Sequence, residues 1–183
     1  MNLLILGPQG SGKGTQAKIL VEKFGFFYLE SGEFLREIAV SNDVLKKMMD
    51  EGLFVPDNEM VSYITAFLDS KGIYGNILFD GFPRNIEQYK FLKNWLNDKQ
   101  VVIDLVLVLK IDEEESVERL ILRGREDDNL DSIKKRLSLY TQKTEILIQE
   151  LKKEIKVVEV DGERSVEAIS GDLIKIINDI NQN

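Results

Sequence analysis

A chain of 183 residues, 43% apolar and 31% charged, is long enough for one globular domain with a real core. It has neither cysteine nor histidine, which removes disulfide frameworks, cysteine-based zinc sites, imidazole ligands and every mechanism built on a histidine base or a cysteine nucleophile. A net charge of -8 argues against non-specific nucleic-acid binding, yet leaves room for a local basic cluster around a small phosphate ligand.

The first expected element is a strand over 2–6. MNLLIL is apolar but stops at Gly7-Pro8, short of the roughly 7–15 apolar residues of a signal peptide. No stretch approaches the roughly 20 apolar residues of a membrane span. A cytoplasmic protein that touches neither membrane nor nucleic acid is expected. GPQGSGKGTQ follows at 7–16 and nearly fits the phosphate-loop pattern G-x-x-x-x-G-K-[ST]. Gly7, Gly12 and Lys13 are in place, but Gly14 fills the hydroxyl slot and Thr15 comes one residue late. An amphipathic helix is expected over 13–24. Glycines between a strand and a helix let backbone N–H groups turn onto a phosphate. The helix N-terminus adds about half a positive charge.

A strand over 26–29 leads to a helix over 31–40, opened by SGEFLR with Ser31 as its N-cap and Phe34, Leu35 and Ile38 as its buried face. Helices over 43–51 and 57–71 come next, then a strand over 77–79. Asp80 ends that strand in FDGFPRNIEQ, where Gly81 and Pro83 form a tight turn presenting Arg84. A guanidinium fork there can hold two phosphate oxygens and keeps its charge. After a helix over 85–97, the apolar run IDLVLVL (103–109) reads as a parallel strand covered on both faces. The helix expected over 113–123 carries Arg119 and Arg123 four apart, opposite a core stripe of Val117, Leu120 and Ile121; pairing of Glu115 with Arg119 is the alternative. A long helix over 129–154 has one seam: Ile133, Leu137, Tyr140, Thr144, Leu147 and Leu151. Arg136 falls roughly 60° from the seam's centre, at the border of the core, and Lys135 points to water. Asp128 or Asn129 would cap this helix. A strand over 156–160 and a helix over 163–180 complete a strand–helix alternation, which implies a doubly wound α/β sheet.

On these motifs the whole chain resembles the nucleoside monophosphate kinases, and adenylate kinases of the short-lid type above all. That family places Gly after the loop lysine and Thr next, as in G-K-G-T-Q, and shares SGEFLR, DGFPR and the run from RLILRGREDDN to KKR at 134–136. The resemblance implies a phosphate-loop NTPase fold, α/β with a parallel five-stranded sheet flanked by helices. It implies a single domain over 1–183, with an AMP-binding segment at about 30–55 and a vestigial lid at about 123–128. The implied reaction is Mg²⁺-dependent ATP + AMP ⇌ 2 ADP by a monomer, without zinc and with ATP, AMP and ADP as partners.

Site residues carry over by position. Gly10, Ser11, Gly12, Lys13, Gly14 and Thr15 would cradle the ATP phosphates, with Arg119 near its adenine, Arg123 on its phosphates and the Arg164 backbone against its base. Ser31, Arg36, Leu53, Phe54, Val55, Gly81, Phe82, Pro83 and Arg84 would line the AMP site, where Gln88 pairs with the adenine edge. Lys13, Arg84, Arg123, Arg125 and Arg136 would carry catalysis, the last two closing on the transferred phosphoryl and touching AMP as well. Thr15 and Asp80 would hold Mg²⁺ through water, and Asp127 and Asp128 would orient arginines. UMP/CMP kinases share Asn85 but carry Asn where this chain has Gln88. A GTPase-type switch would need an N-K-x-D segment, which this sequence lacks. An inactive nucleotide-binding protein is the third alternative. The chain departs from its family at the lid: a single residue, Gly124, separates Arg123 from Arg125 where short-lid relatives keep several more. Poorer exclusion of water, and so more ATP hydrolysis per transfer, is the expectation.

Overall fold

The computed structural model describes residues 1–40, 42–51, 55–125 and 128–182. Its strands are β1 (Leu3–Leu6), β2 (Phe27–Glu30), β3 (Ile77–Asp80), β4 (Leu105–Lys110) and β5 (Val157–Asp161), all parallel, in the spatial order β2-β3-β1-β4-β5. Each lies within two residues of its expected position. The helices are α1 (Lys13–Phe24), α2 (Ser31–Ala39), α3 (Asp43–Asp50), α4 (Asp57–Lys71), α5 (Ile86–Asp98), α6 (Glu113–Arg123), α7 (Leu130–Leu139), α8 (Glu145–Leu151) and α9 (Val166–Asn181).

Side chains of a strand alternate between faces, and here both faces are covered. Leu4, Leu6, Leu29, Phe79, Val106 and Val108 pack under α4, α5 and α8 with the inner faces of α2 and α3. Leu3, Ile5, Leu78, Leu105, Leu107 and Leu109 pack under α1 and α9. That double burial is why β1 and β4 are unbroken apolar runs.

Two expectations are corrected. The helix over 129–154 is not uniform: a π-turn at Tyr140–Thr144 separates α7 from α8, and the helix ends at Leu151. The seam is nevertheless buried or half-buried throughout, Arg136 is buried at its border and Lys135 is exposed. Ile121 is not core; it is 52% exposed, while Ser116 and Leu120 face inward. Only Ile133 and Leu137 of α7 cover that part of α6, so the satellite core around Leu120 and Val117 is too narrow to take Ile121. All five strands point their carboxyl ends at one edge of the sheet, where ligands bind in open α/β folds.

Candidate active site

A cavity of about 410 Å³ opens at that edge. Its floor is the loop after β1. Gly7 has φ +148, and a Cβ there would stand 2.4 Å from the Leu109 carbonyl oxygen, so only glycine lets the loop leave β1 alongside β4. Lys13 folds back into the loop and donates from Nζ to the carbonyls of Gly7 at 2.9 Å and Pro8 at 2.7 Å. Desolvation brings its pKa down to about 8, against the opposing pull of Asp80. Thr15 is exposed to the cavity. A Cβ on Gly14 would meet the Tyr28 hydroxyl at 3.7 Å and Asp80 Oδ2 at 3.8 Å, so the missing side chain leaves space in front of the Asp80 carboxylate. Ser11 is buried beneath the loop and does not line the cavity.

A second wall of the cavity is built on β2 and β3. Asp80 is 4% exposed and accepts a hydrogen bond from the Tyr28 hydroxyl at 2.9 Å. Burial pushes its carboxyl up, while Lys13 pulls it down. Gly81 has φ +72, and a Cβ there would come within 2.8 Å of Ser31 Oγ. Ser31 is therefore not the cap of α2, as expected, but its first residue. Its hydroxyl donates to the Gly81 carbonyl at 2.8 Å and ties the helix to the turn after β3. Arg84 Nε donates to the same carbonyl at 2.7 Å, and desolvation lowers the pKa of its guanidinium. Arg36 stands 3.5 Å from Glu30. Phe82 is fully buried as packing, and neither it nor Pro83 lines the cavity. Val55 does; Leu53 and Phe54 lie outside the described residues.

Gln88 lines the cavity while its amide is already engaged. Its Oε1 accepts from the Arg84 backbone N–H at 2.8 Å and its Nε2 donates to Asp57 at 2.8 Å. Asn85 caps α5, accepting from the Gln88 N–H at 2.9 Å, and donates to Asp57 at 2.7 Å. Asp57 is thus the hub of this wall, and sequence reasoning missed it. The signal available was an acidic residue at the first position of a helix after Pro56.

The opposite wall gathers arginines around Asp128. Its carboxylate, with no exposed surface, takes two bonds from Arg123 at 2.8 and 2.9 Å and one from Arg136 Nη2 at 2.9 Å, and it accepts the Arg125 backbone N–H at 3.2 Å. Burial pushes the Asp128 carboxyl up, but the bonds from Arg123 and Arg136 outweigh it and hold the group below the usual carboxylate range. Asn129, not Asp128, caps α7 through the Ser132 N–H at 2.9 Å. Asp127 lies outside the described residues. Arg119 does pair with Glu115, at 2.6 Å, and also donates to the Gly162 carbonyl at 2.9 Å, which holds it against the cavity wall. The side chain of Arg125 lines the cavity and is exposed. Arg164 stands apart, paired with Asp161 and Asp172 beside a second, smaller cavity.

The sequence profile of the adenylate kinase family matches residues 5–156. Relatives named adenylate kinase include those of Parabacteroides distasonis, 36% identical over 98% of this chain and 99% of the relative, and Bacteroides fragilis, 38% identical over 97% and 98%. A third, from Hyphomonas neptunium, is 37% identical over 94% of this chain and 96% of its own. The Parabacteroides alignment runs to 188 positions, longer than the chain, so that relative carries residues with no counterpart here. Similarity over nearly the full length, on a sheet whose carboxyl edge gathers the loop and the arginines the motifs announced, means that the chain belongs to the adenylate kinase family.

Proposed function

We infer that this nucleoside monophosphate kinase runs ATP + AMP ⇌ 2 ADP in the large cavity. One observation carries the assignment of the site: among the described residues, Lys13, Lys18, Arg36, Arg84, Arg119, Arg123, Arg125 and Arg136 line it, against only two carboxylates, Glu30 and Asp80. In a chain of net charge -8, so strong a local reversal fits polyphosphate ligands.

Phosphoryl transfer through a loose transition state depends on positioning and charge neutralisation more than on a base, which suits a chain without histidine. In this reading Lys13 and Arg123 hold the donor phosphates, Arg84 and Arg36 hold the acceptor phosphate, and Arg125 and Arg136 close on the group in flight. Asp128 keeps Arg123 and Arg136 aimed before nucleotide arrives, so their orientation is not set at the moment of reaction. Arg119 would lie by the ATP base, with the Arg164 backbone a further candidate there. Gln88 would exchange its Asp57 bond for the adenine edge. Asn85 is occupied as the α5 cap and by Asp57, so its presence does not favour a pyrimidine acceptor.

The family uses Mg²⁺ with ATP, and the residues present fit it. Magnesium is typically held by one or two carboxylates plus substrate phosphates rather than by an all-protein cage. Among the described residues no cluster of three metal-binding side chains occurs, while Asp80 Oδ2 borders the space beside Gly14 and Thr15 lines the same cavity. Thr15 and Asp80 would hold the ion through water, and the ion would supply positive charge that offsets the charge of the phosphates. The reading has one domain over 1–183, with an AMP-binding segment at about 30–55 and a vestigial lid at about 123–128. No helix among the described residues is long and apolar enough to cross a membrane; a cytoplasmic monomer acting on free nucleotides completes the reading. An ADP-formation assay over AMP, UMP, CMP and GMP tests it. AMP should be strongly preferred; equal or better turnover of UMP or CMP would overturn the acceptor assignment.

A further inference from the structure

Of the two carboxylates in the cavity, Asp80 has a role in the reading above and Glu30 has none. A carboxylate facing a phosphate site needs a reason. Glu30 ends β2 directly beside Asp80, its partner in register at the end of β3. Its two oxygens serve different neighbours: Oε1 lies 3.5 Å from Arg36 Nη2, and Oε2 lies 3.5 Å from the Tyr28 hydroxyl. That hydroxyl has one proton, and gives it to Asp80 Oδ2 at 2.9 Å. Hydroxyl bonds are typically about 2.7–2.8 Å long, so Glu30 is the weaker of two acceptors competing for a single donor. The chain of contacts is Arg36, Glu30, Tyr28, Asp80.

We propose that Glu30 and Tyr28 couple occupancy of the acceptor phosphate site to the metal-facing carboxylate of Asp80. The proposal rests on the reading that Arg36 holds the acceptor phosphate and that Asp80 faces the ion. With Arg36 beside it, Glu30 is compensated and competes poorly for the Tyr28 proton. A phosphate that draws Arg36 toward itself leaves Glu30 uncompensated. The hydroxyl then turns about its own C–O bond from Asp80 to Glu30. Oδ2 of Asp80 then turns its full acceptor capacity to the space that Gly14 leaves open, where it would hold the ion through water more strongly. No covalent bond changes and no proton leaves the hydroxyl. Because coupling between two binding sites is reciprocal, metal at Asp80 strengthens acceptor binding by the same factor. Tyr28 and Glu30 are positioning residues in this scheme, because they act through Asp80 and Arg36.

The test is calorimetric and needs no turnover. The dissociation constant of the β,γ-imido analogue of ATP is measured with and without Mg²⁺, each with and without saturating AMP. In the unmodified protein AMP should enlarge the Mg²⁺ effect by about fivefold or more, the lower end of ordinary coupling. Tyr28→Phe should abolish that enlargement while AMP affinity without metal stays close to the starting value. Glu30→Gln should also abolish it, and should tighten AMP in the absence of metal, because Arg36 has lost its competitor. Both substitutions keep size and shape. Coupling absent from the unmodified protein, or undiminished in the two variants, overturns the relay. Arg36→Ala separates the layers: unchanged AMP affinity there rejects Arg36 as the acceptor-phosphate residue and takes the relay with it. Weakened AMP binding in Arg36→Ala together with intact coupling in Tyr28→Phe rejects the relay alone.

Discussion

Raising the pH from about 7 to about 9 should weaken ATP binding through Lys13. In the free protein the ammonium is desolvated among loop carbonyls and its pKa sits at about 8, below the ordinary 10.5. ATP phosphates would supply the missing counter-charge and return the bound lysine toward 10.5 or above. Between those values the free protein has lost the proton and the complex keeps it. Binding at pH 9 should therefore take up roughly 0.9 of a proton, and affinity should fall roughly tenfold between pH 7 and pH 9. Titration calorimetry in two buffers of different ionisation enthalpy reads the uptake directly, and Lys13→Met should abolish it. Binding without proton uptake at pH 9 would refute the placement of Lys13 on the phosphates. For folding the sign is opposite, because the free folded protein is the state that gives up the proton. The unfolded chain holds this proton up to 10.5, so the cost of burying the charge is present below about 8 and is relieved as pH rises through that window. The melting temperature of the unmodified protein should gain on that of Lys13→Met there.

Arg84→Ala should lower kcat by roughly 10²–10³, the cost of removing one donor to developing charge, with an unchanged circular-dichroism melt, because Ser31 still serves the Gly81 carbonyl; near-normal turnover would remove Arg84 from catalysis. Gly81→Ala combines a positive φ with a 2.8 Å clash against Ser31 Oγ, and should cost about 1–3 kcal/mol in denaturant unfolding; an unchanged midpoint would contradict the geometry at that turn. Lid closure in adenylate kinases is a standard example of shutting water out of a reaction. With Gly124 alone between Arg123 and Arg125, phosphate release per AMP turned over should exceed that of an adenylate kinase with a longer lid; equal release would show that the cavity excludes water without a lid.

The central strands β1, β3 and β4 were legible because each is buried on both faces, and an apolar run has few other readings, while the edge strands β2 and β5 are only partly buried. The phosphate loop, the Arg84 turn and the paired arginines of α6 were legible for a different reason: their chemistry fixes local spacing. What escaped was set by distant neighbours. Ser31 looked like a cap because Ser before an acidic helix start usually is one; its partner, the Gly81 carbonyl, is fifty positions away in sequence. Asp57 read locally only as an acidic helix start after Pro56, because its partners Asn85 and Gln88 lie about thirty positions away. The π-turn at Tyr140–Thr144 left the seam intact, since alternating steps of four and three tolerate a locally widened turn. Ile121 followed the periodicity of α6 correctly but met solvent, because how far a core extends depends on the helix packed against it.

The widened turn at Tyr140–Thr144 has a mechanical consequence. From it, the Thr144 hydroxyl donates to the carbonyl of Arg84 at 2.9 Å, and Arg136 stands about two turns earlier on the same rod. Two guanidinium groups from distant parts of the chain are thereby geared to one shaft. The tie runs through a hydroxyl and a backbone carbonyl, so neither guanidinium group is used to make it.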